Sequence, residues 1–423
     1  MKKKIYLVNL LGSSVCNLKC EYCYVPKVSE LRNVHQKVNE LIEDGSIVKY
    51  LQDKYDISEL KHIGFWGAEP TLNLESSYKF LSDMMVISPI EEITIPTNFT
   101  TNIDNLISFI EKLKTFDKKI SFHIQISIDG PEFITDVNRG VGTTDKVLRN
   151  LFYFIEKMQN VDLEKITLRV DTKSTWSNEN LVYIENNLDR LRDIQIFRDD
   201  IRKKIEDLNK KEGLNISFFH SGNLALPGEY LPEDGRRLGG IFQHISDDNI
   251  ENPIFDFFYR AFKKIENRDL FSRFDTVSCG GSKSGVVAIG EDFYWHPCHR
   301  TFHIRYDGHG KHDYDFAEQY MKSDLDKMDF MMMSYHSFLR LTVNLTVNMI
   351  LEMAECGQVL EKYKDKDNAF LLALFMCMSI NCPVEGLLEN FNHFSFPVSS
   401  IRLLGNGVLD VMIEHHRRKA CLI

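Results

Sequence analysis

Along the chain, short β-branched apolar runs alternate with longer stretches whose apolar residues recur every three or four positions. Residues 4–11, 62–66, 92–97, 120–128, 166–170 and 216–220 read as six strands. Between them, residues 34–55, 74–85, 103–116, 144–159 and 178–191 carry the periodicity of amphipathic helices. A strand-helix repeat of this kind predicts parallel strands joined by right-handed crossovers. Six units are too few for a full eight-stranded barrel. The expected fold is therefore α/β, a partial (β/α)6 TIM-type barrel open on one side, with its functional groups at the carboxyl ends of the strands.

The rhythm weakens later in the chain. Residues 199–267 are charged, with a turn-rich middle at 221–240, and read as an insertion or a bridge. From residue 274 the strand-helix repeat is lost: a Gly-rich hairpin at 279–298 is followed by a largely helical region from about residue 324. The predicted domains are a barrel at 1–225, a bridge or insertion at 226–273, and a smaller α+β domain with a helical C-terminus at 274–423. A length of 423 residues suits two or three cores.

Composition narrows the classes. Apolar content of 43% and charged content of 26% are ordinary for a globular protein, and no uncharged apolar run is long enough to span a bilayer. Met1-Lys-Lys-Lys and the apolar residues 5–11 copy the start of a secretory signal. That run is short, contains Asn9, lacks a small-residue cleavage site before Cys16, and alternates as a first buried strand, so a cytoplasmic protein is expected. A net charge of -10 argues against a general nucleic-acid binder. Nine cysteines, an odd number without a credible signal, point to metal or redox use rather than a disulfide framework.

The chemistry concentrates after the first strand, in Cys16-Asn-Leu-Lys-Cys20-Glu-Tyr-Cys23. Thiolates are the natural ligands of iron-sulfur clusters. A zinc knuckle or a set of buried thiols are the other readings, although no fourth Cys or His lies nearby at zinc-finger spacing. The segment resembles the CxxxCxxC motif of the radical S-adenosylmethionine (SAM) superfamily, including the aromatic residue, here Tyr22, before the third cysteine. The resemblance implies a 4Fe-4S cluster on Cys16, Cys20 and Cys23, with one iron left open to chelate SAM and Tyr22 against the adenine.

Other strand ends fit the same resemblance. Phe65-Trp66-Gly67-Ala68-Glu69-Pro70 is similar to the family's GGEP motif, with Ala68 in place of the second glycine; the implied role of Gly67, Ala68 and Glu69 is to bind the methionine amino group through exposed carbonyls. Thr97-Asn98 resembles the start of a Thr-Asn-Gly run, with Phe99 replacing the glycine. Ser127-Ile-Asp129-Gly-Pro131, then Asp136 and Arg139, looks like the SxDGP...DxxR signature of enzymes similar to anaerobic sulfatase maturases. There the resemblance puts Ser127 and Asp129 near the ribose and Arg139 at the SAM carboxylate, which a guanidinium can grip in bidentate fashion. Taken without the family, these segments are also ordinary turns. Lys173, at the end of the fifth strand, is a candidate catalytic group or a solvated lysine.

The late cysteines carry a weaker likeness. Cys279-Gly-Gly leads through residues 286–289 to Trp295-His-Pro-Cys298-His299, which resembles the opening of the SPASM or shorter twitch domain, with Phe293 where that hairpin usually has glycine. One auxiliary 4Fe-4S cluster on Cys279, Cys298, Cys377 and Cys382 is expected, with Cys356 in reserve and Cys421 inert; buried thiols are the other reading. His299 occupies the place of the aspartate that takes the substrate proton in sulfatase maturases, and with His296 and His303 it reads as an acid-base group, a zinc ligand or a solvated side chain. The Met-rich run 328–333 reads as packing.

Together these implications point to an oxidoreductase-type radical SAM enzyme that cleaves SAM reductively to a 5'-deoxyadenosyl radical and takes hydrogen from a peptide or small protein. Such a RiPP-type peptide maturase would form a crosslink or thioether, epimerise a residue or oxidise a side chain, with electrons from a donor such as flavodoxin or ferredoxin. A small-molecule radical SAM dehydrogenase or mutase and a zinc-stabilised, non-catalytic binding module are the alternatives. The barrel is expected to begin almost at Met1, which would put any leader-recognition role on residues 199–267.

Overall fold

In a computed structural model that describes residues 2–23, 25, 27, 29–224, 232–266, 286–291, 293, 302 and 403–420, the repeat becomes a parallel sheet with helices. The chain opens with β1 (Lys3–Lys4), β2 (Leu7–Ser13), α1 (Leu31–Glu43), α2 (Ser46–Lys54), β3 (Tyr55–Asp56) and β4 (His62–Gly67). It continues through α3 (Leu74–Ile87), β5 (Glu92–Thr97), α4 (Ile103–Leu113), β6 (Ile120–Ser127), α5 (Glu132–Arg139), α6 (Thr143–Met158) and β7 (Ile166–Trp176). Then come α7 (Asn178–Glu185), α8 (Leu191–Glu212), β8 (Ser217–Leu224), α9 (Pro232–Asp247), α10 (Pro253–Glu266), β9 (Val286–Ile289) and α11 (Leu409–Ala420).

Seven strands lie in the order β8-β7-β6-β5-β4-β2-β9, and β9, β2, β4, β5, β6 and β7 pair in parallel. This is the α/β partial-barrel fold, with one more strand than the six expected. The addition is β9, whose residues were expected in a hairpin of the later domain. They instead run beside β2, from Leu7 opposite Val286 to Leu10 opposite Ile289. A short apolar run with Val287, Ala288 and Ile289 all buried suits a parallel strand covered on both faces. The remainder of that hairpin lies largely outside the described residues.

Packing follows the alternation. In β6, Ile120, Phe122, Ile124 and Ile126 are buried, and Phe122 meets Phe109 of α4 at 5.8 Å between ring centroids, so this face looks toward the helices. The opposite face carries Ser121, His123, Gln125 and Ser127, and His123 pairs across to Asp171 of β7 at 2.8 Å. Phe65 of β4 likewise meets Phe80 of α3, at 6.3 Å. The helical stretch expected at 34–55 is interrupted at Gly45, whose φ of 75° turns the chain between α1 and α2. Strand β7 runs six residues beyond the expected end at Val170.

The chain divides into two compact units. One contains residues of Met1–Thr175, Ile196–Asn223 and Lys283–Gly310; the other draws on Trp176–Gln195, Leu224–Ser282 and Lys311–Ile423. In the second, Phe255 and Tyr259 pack edge-on against His415, with Phe242 behind Phe255, and His415 Nδ1 lies 2.8 Å from Ser246 Oγ. Among the described residues, no helix is long and apolar enough to cross a membrane.

The end of β5 departs from the simple pattern. Phe99 has φ of 56°, a left-handed conformation that costs a bulky residue about 1–2 kcal/mol. The cost is offset locally: the ring is fully buried 5.7 Å from Phe154, and Asn150 Nδ2 donates to the Phe99 carbonyl at 2.8 Å. Both Phe99→Gly and Phe99→Ala should destabilise the fold through loss of the ring, but the alanine variant by about 1 kcal/mol more, because it keeps the strained φ. Urea unfolding of the pair measures the difference, and equal stabilities would contradict this reading.

Candidate functional site

The loop after β2 carries Cys16, Cys20 and Cys23, all as free thiols. Its start is bound to the end of β4. Ala68 N–H donates to the Ser13 carbonyl at 2.8 Å and Glu69 N–H to the Val15 carbonyl at 3.1 Å. Gly67 makes this approach possible: its φ is 123°, and a Cβ there would lie 2.1 Å from the Ser13 oxygen.

Glu69 then turns inward. It is fully buried and receives the N–H of Thr71 at 3.1 Å, the hydroxyls of Thr71 and Thr97, and the N–H of Asn98 at 2.7 Å. Burial pushes its pKa up, while these donors pull it down less strongly. The carboxylate thus ties the end of β4 to the end of β5. From there Asn98 reaches the loop, its Nδ2 lying 2.8 Å from Asn17 Oδ1 and 3.5 Å from Cys16 Sγ.

A second tie comes from the end of β6. Arg139 grips Asp129 in bidentate fashion, Nε to Oδ2 at 2.8 Å and an Nη to Oδ1 at 3.0 Å, with both side chains buried. Tyr22 Oη donates to the same carboxylate at 3.0 and 3.1 Å and accepts from Arg139, whose guanidinium lies 5.3 Å from the Tyr22 ring centroid. The backbone N–H of Thr175 on β7 adds a further donor to Asp129, at 2.9 Å. Glu21 N–H donates to the Asn138 carbonyl at 2.9 Å, so α5 holds the loop through backbone as well. Burial raises the Tyr22 pKa well above its ordinary value. For Arg139 burial alone would lower the pKa, but Asp129 beside it more than reverses this.

The donor set fits an iron-sulfur cluster. Burial, with smaller contributions from Glu69, Cys20 and Cys23, pushes the Cys16 thiol up to about 12. Burial also raises Cys20 and Cys23, against the pull of Arg139. Ligation would release those protons, which couples cluster assembly to pH. Among the described residues, no three Cys, His, Asp or Glu converge on a point that one ion could occupy. A cubane asks for something different, one thiolate on each of three irons.

The sequence-derived candidates thus gather at one edge of the sheet. Tyr22, Asp129 and Arg139 form one network, and Glu69, Asn98 and Cys16 another, with Gly67 and Ala68 at the strand crossing. Ser127 and Lys173 lie opposite one another in the β6–β7 register at the same edge. Asp136 holds the turn after α5, accepting from Thr144 N at 2.8 Å, from its hydroxyl at 2.6 Å and from Gly142 N. Asn17, Thr71 and Thr100 escaped the sequence reading; only the position of Asn17 inside the three-cysteine loop hinted at its place. Cys279, Cys298, Cys377, Cys382, Cys356, Cys421, His296, His299, His303 and residues 328–333 lie outside the described residues.

Comparison with known proteins bears on this edge. Residues 10–172 match the Radical SAM superfamily. Over 179 residues the chain is 30% identical to the cysteine-type anaerobic sulfatase-maturating enzyme of Clostridium perfringens strain ATCC 13124, covering 41% of this chain and 45% of that enzyme. The enzyme of the same name from another C. perfringens strain is 30% identical over 181 residues. The chain therefore spans a little under half the length of the curated relatives it matches. Among solved structures, native anSMEcpe with bound AdoMet has 21% identity and a TM-score of 0.42, covering 70% of this chain and 74% of that one. SuiB of Streptococcus suis has 14% identity and a TM-score of 0.34, covering 70% and 60%.

Removing the cation from the buried pair tests its part in the loop. Arg139→Gln leaves the Asp129 carboxylate without a counter-charge and should cost about 3–5 kcal/mol in urea unfolding. Tyr22→Phe, which removes one hydroxyl, should cost about 1 kcal/mol. Similar small losses in both variants would contradict the proposed hierarchy.

Proposed function

We propose, from the premise that residues 10–172 carry a radical SAM domain, that this chain is a radical SAM enzyme acting on a peptide or small protein. One observation carries the reading: three thiols with CxxxCxxC spacing stand on a loop that two buried carboxylate networks fasten at the carboxyl edge of a parallel sheet. Cys16, Cys20 and Cys23 would hold a 4Fe-4S cluster. When bound, the cluster and SAM would supply the reductive cleavage that yields a 5'-deoxyadenosyl radical, the cofactor chemistry for which the protein provides position.

The residues divide the remaining work. The turn at Gly67, Ala68 and Glu69, whose N–H groups bind the loop, would offer backbone carbonyls to an ammonium group. Tyr22 offers an aromatic face for the adenine. Ser127 and Asp129 offer hydroxyl and carboxylate partners for a ribose, and Arg139, proposed as the partner of the SAM carboxylate, holds Asp129 in place through its bidentate contact. Asn98 stands between this turn and the loop. The parallel sheet and its helices would exclude water and stray hydrogen donors.

A peptide or protein substrate is supported by the sequence relatives, which are named for maturing sulfatases. The proposed reaction is an oxidoreductase-type modification, with electrons from a flavodoxin- or ferredoxin-like donor in the cytoplasm. An auxiliary 4Fe-4S cluster on Cys279, Cys298, Cys377 and Cys382, in a domain spanning residues 274–423, belongs to the same proposal.

With SAM and a strong reductant under anaerobic conditions, the wild-type chain should release 5'-deoxyadenosine, and Cys16→Ala, Cys20→Ala and Cys23→Ala should each abolish that release. Undiminished release from any of the three would refute the cluster assignment. Incubation with peptides encoded beside the gene, read by mass spectrometry, should give a defined mass change on a peptide. Turnover of small metabolites alone would instead favour a dehydrogenase or mutase.

A further inference from the structure

The hydrogen bonds that aim Asn98 at Cys16 form a closed device. Asn98 Nδ2 donates to Asn17 Oδ1 at 2.8 Å, Asn17 Nδ2 donates to Thr100 Oγ1 at 2.8 Å, and the Thr100 hydroxyl donates back to Asn98 Oδ1 at 2.7 Å. The ring alone would allow the Asn98 carboxamide to be turned over. The backbone forbids it, because Thr100 N–H, which can only donate, reaches Asn98 Oδ1 at 2.9 Å. The oxygen must face Thr100, so the NH2 group must face Asn17 and Cys16 Sγ, the latter at 3.5 Å.

The surrounding chain holds this aim. Glu69 accepts Asn98 N–H at 2.7 Å, and Thr97 Oγ1 accepts Phe99 N–H at 2.9 Å. The left-handed φ of 56° at Phe99 makes the turn, and its buried ring anchors it. Four of the groups involved, Glu69, Thr97, Asn98 and Thr100, are buried. A buried amide with both ends fixed has little freedom to turn away when charge on the sulfur changes.

We propose that Asn98 is a tuning residue: its amide N–H donates to the Cys16 sulfur and raises the reduction potential of the cluster. This rests on the functional reading above, which places a 4Fe-4S cluster on that loop. Reduction adds one electron, supplied in a titration by a chemical reductant, and no covalent bond forms or breaks. The added negative charge is shared by the ligand sulfurs, and a fixed donor stabilises the reduced state more than the oxidised one. Leu18 N–H, 3.3 Å from the same sulfur, acts in the same direction and remains when Asn98 is changed.

The test uses anaerobically reconstituted full-length protein, with iron and sulfide content measured before an EPR-monitored redox titration of the signal lost in Cys16→Ala. Asn98→Asp keeps the oxygen that accepts from Thr100 and nearly the same volume, but turns an acceptor toward Cys16. Thr100→Val keeps the Asn98 amide and removes the hydroxyl that closes the ring. Asn98→Asp should retain the cluster and lower its equilibrium constant for reduction about tenfold, which is about 59 mV more negative for one electron. Thr100→Val should shift in the same direction by less. An unchanged potential in Asn98→Asp, or a shift to more positive values, overturns the proposal while leaving the functional reading intact. A wild-type chain that forms no cubane on Cys16, Cys20 and Cys23 sinks both.

Discussion

A loop rich in thiols has little apolar surface with which to hold itself in place, and here two buried carboxylates do that work. Glu69 gathers donors from the ends of β4 and β5, while Asp129 gathers Arg139, Tyr22 and a backbone N–H of β7. An isolated buried carboxylate would be expensive, so each persists because its surroundings satisfy it. The two solve the problem differently. Asp129 has a cation in bidentate contact; Glu69 is held by neutral donors alone, and burial raises its pKa.

This division has consequences for the site. The loop is fastened at Val15, Asn17, Glu21 and Tyr22, which sets Cys16 and Cys20 between fixed points and Cys23 directly after one. Positions set by strand ends inherit the rigidity of the sheet, the condition under which a protein can fix cofactor geometry within tenths of an ångström. The same ties make the site costly to disturb. Gly67 cannot gain a side chain without pushing against the Ser13 carbonyl.

Much of this was legible in the sequence, because strand ends and the motifs on them are local. Residues 92–97 were read with the bounds that β5 shows, and the three cysteines were placed on the loop that follows β2. What escaped depends on partners far along the chain. β7 looked shorter because Asp171, Thr172, Lys173, Ser174 and Thr175 break the apolar pattern, yet its N–H groups still pair, and one reaches Asp129. β9 was visible as an apolar run, but nothing local revealed β2 as its neighbour. Two phenylalanines are a third case. Phe99 and Phe293 both have φ of 56°, a left-handed backbone that glycine adopts without strain, with Phe293 stacked on Tyr50 at 4.9 Å. A dihedral angle leaves no mark in the identity of the residue that adopts it.

We propose that the loop, once it holds its cluster, presents an open iron to a sulfonium. Spectra of the reduced, oxygen-free protein recorded with and without SAM test it most directly. A 4Fe-4S signal whose line shape changes when SAM is added is expected; a chain without that signal, or with one indifferent to SAM, would contradict an open iron at this loop.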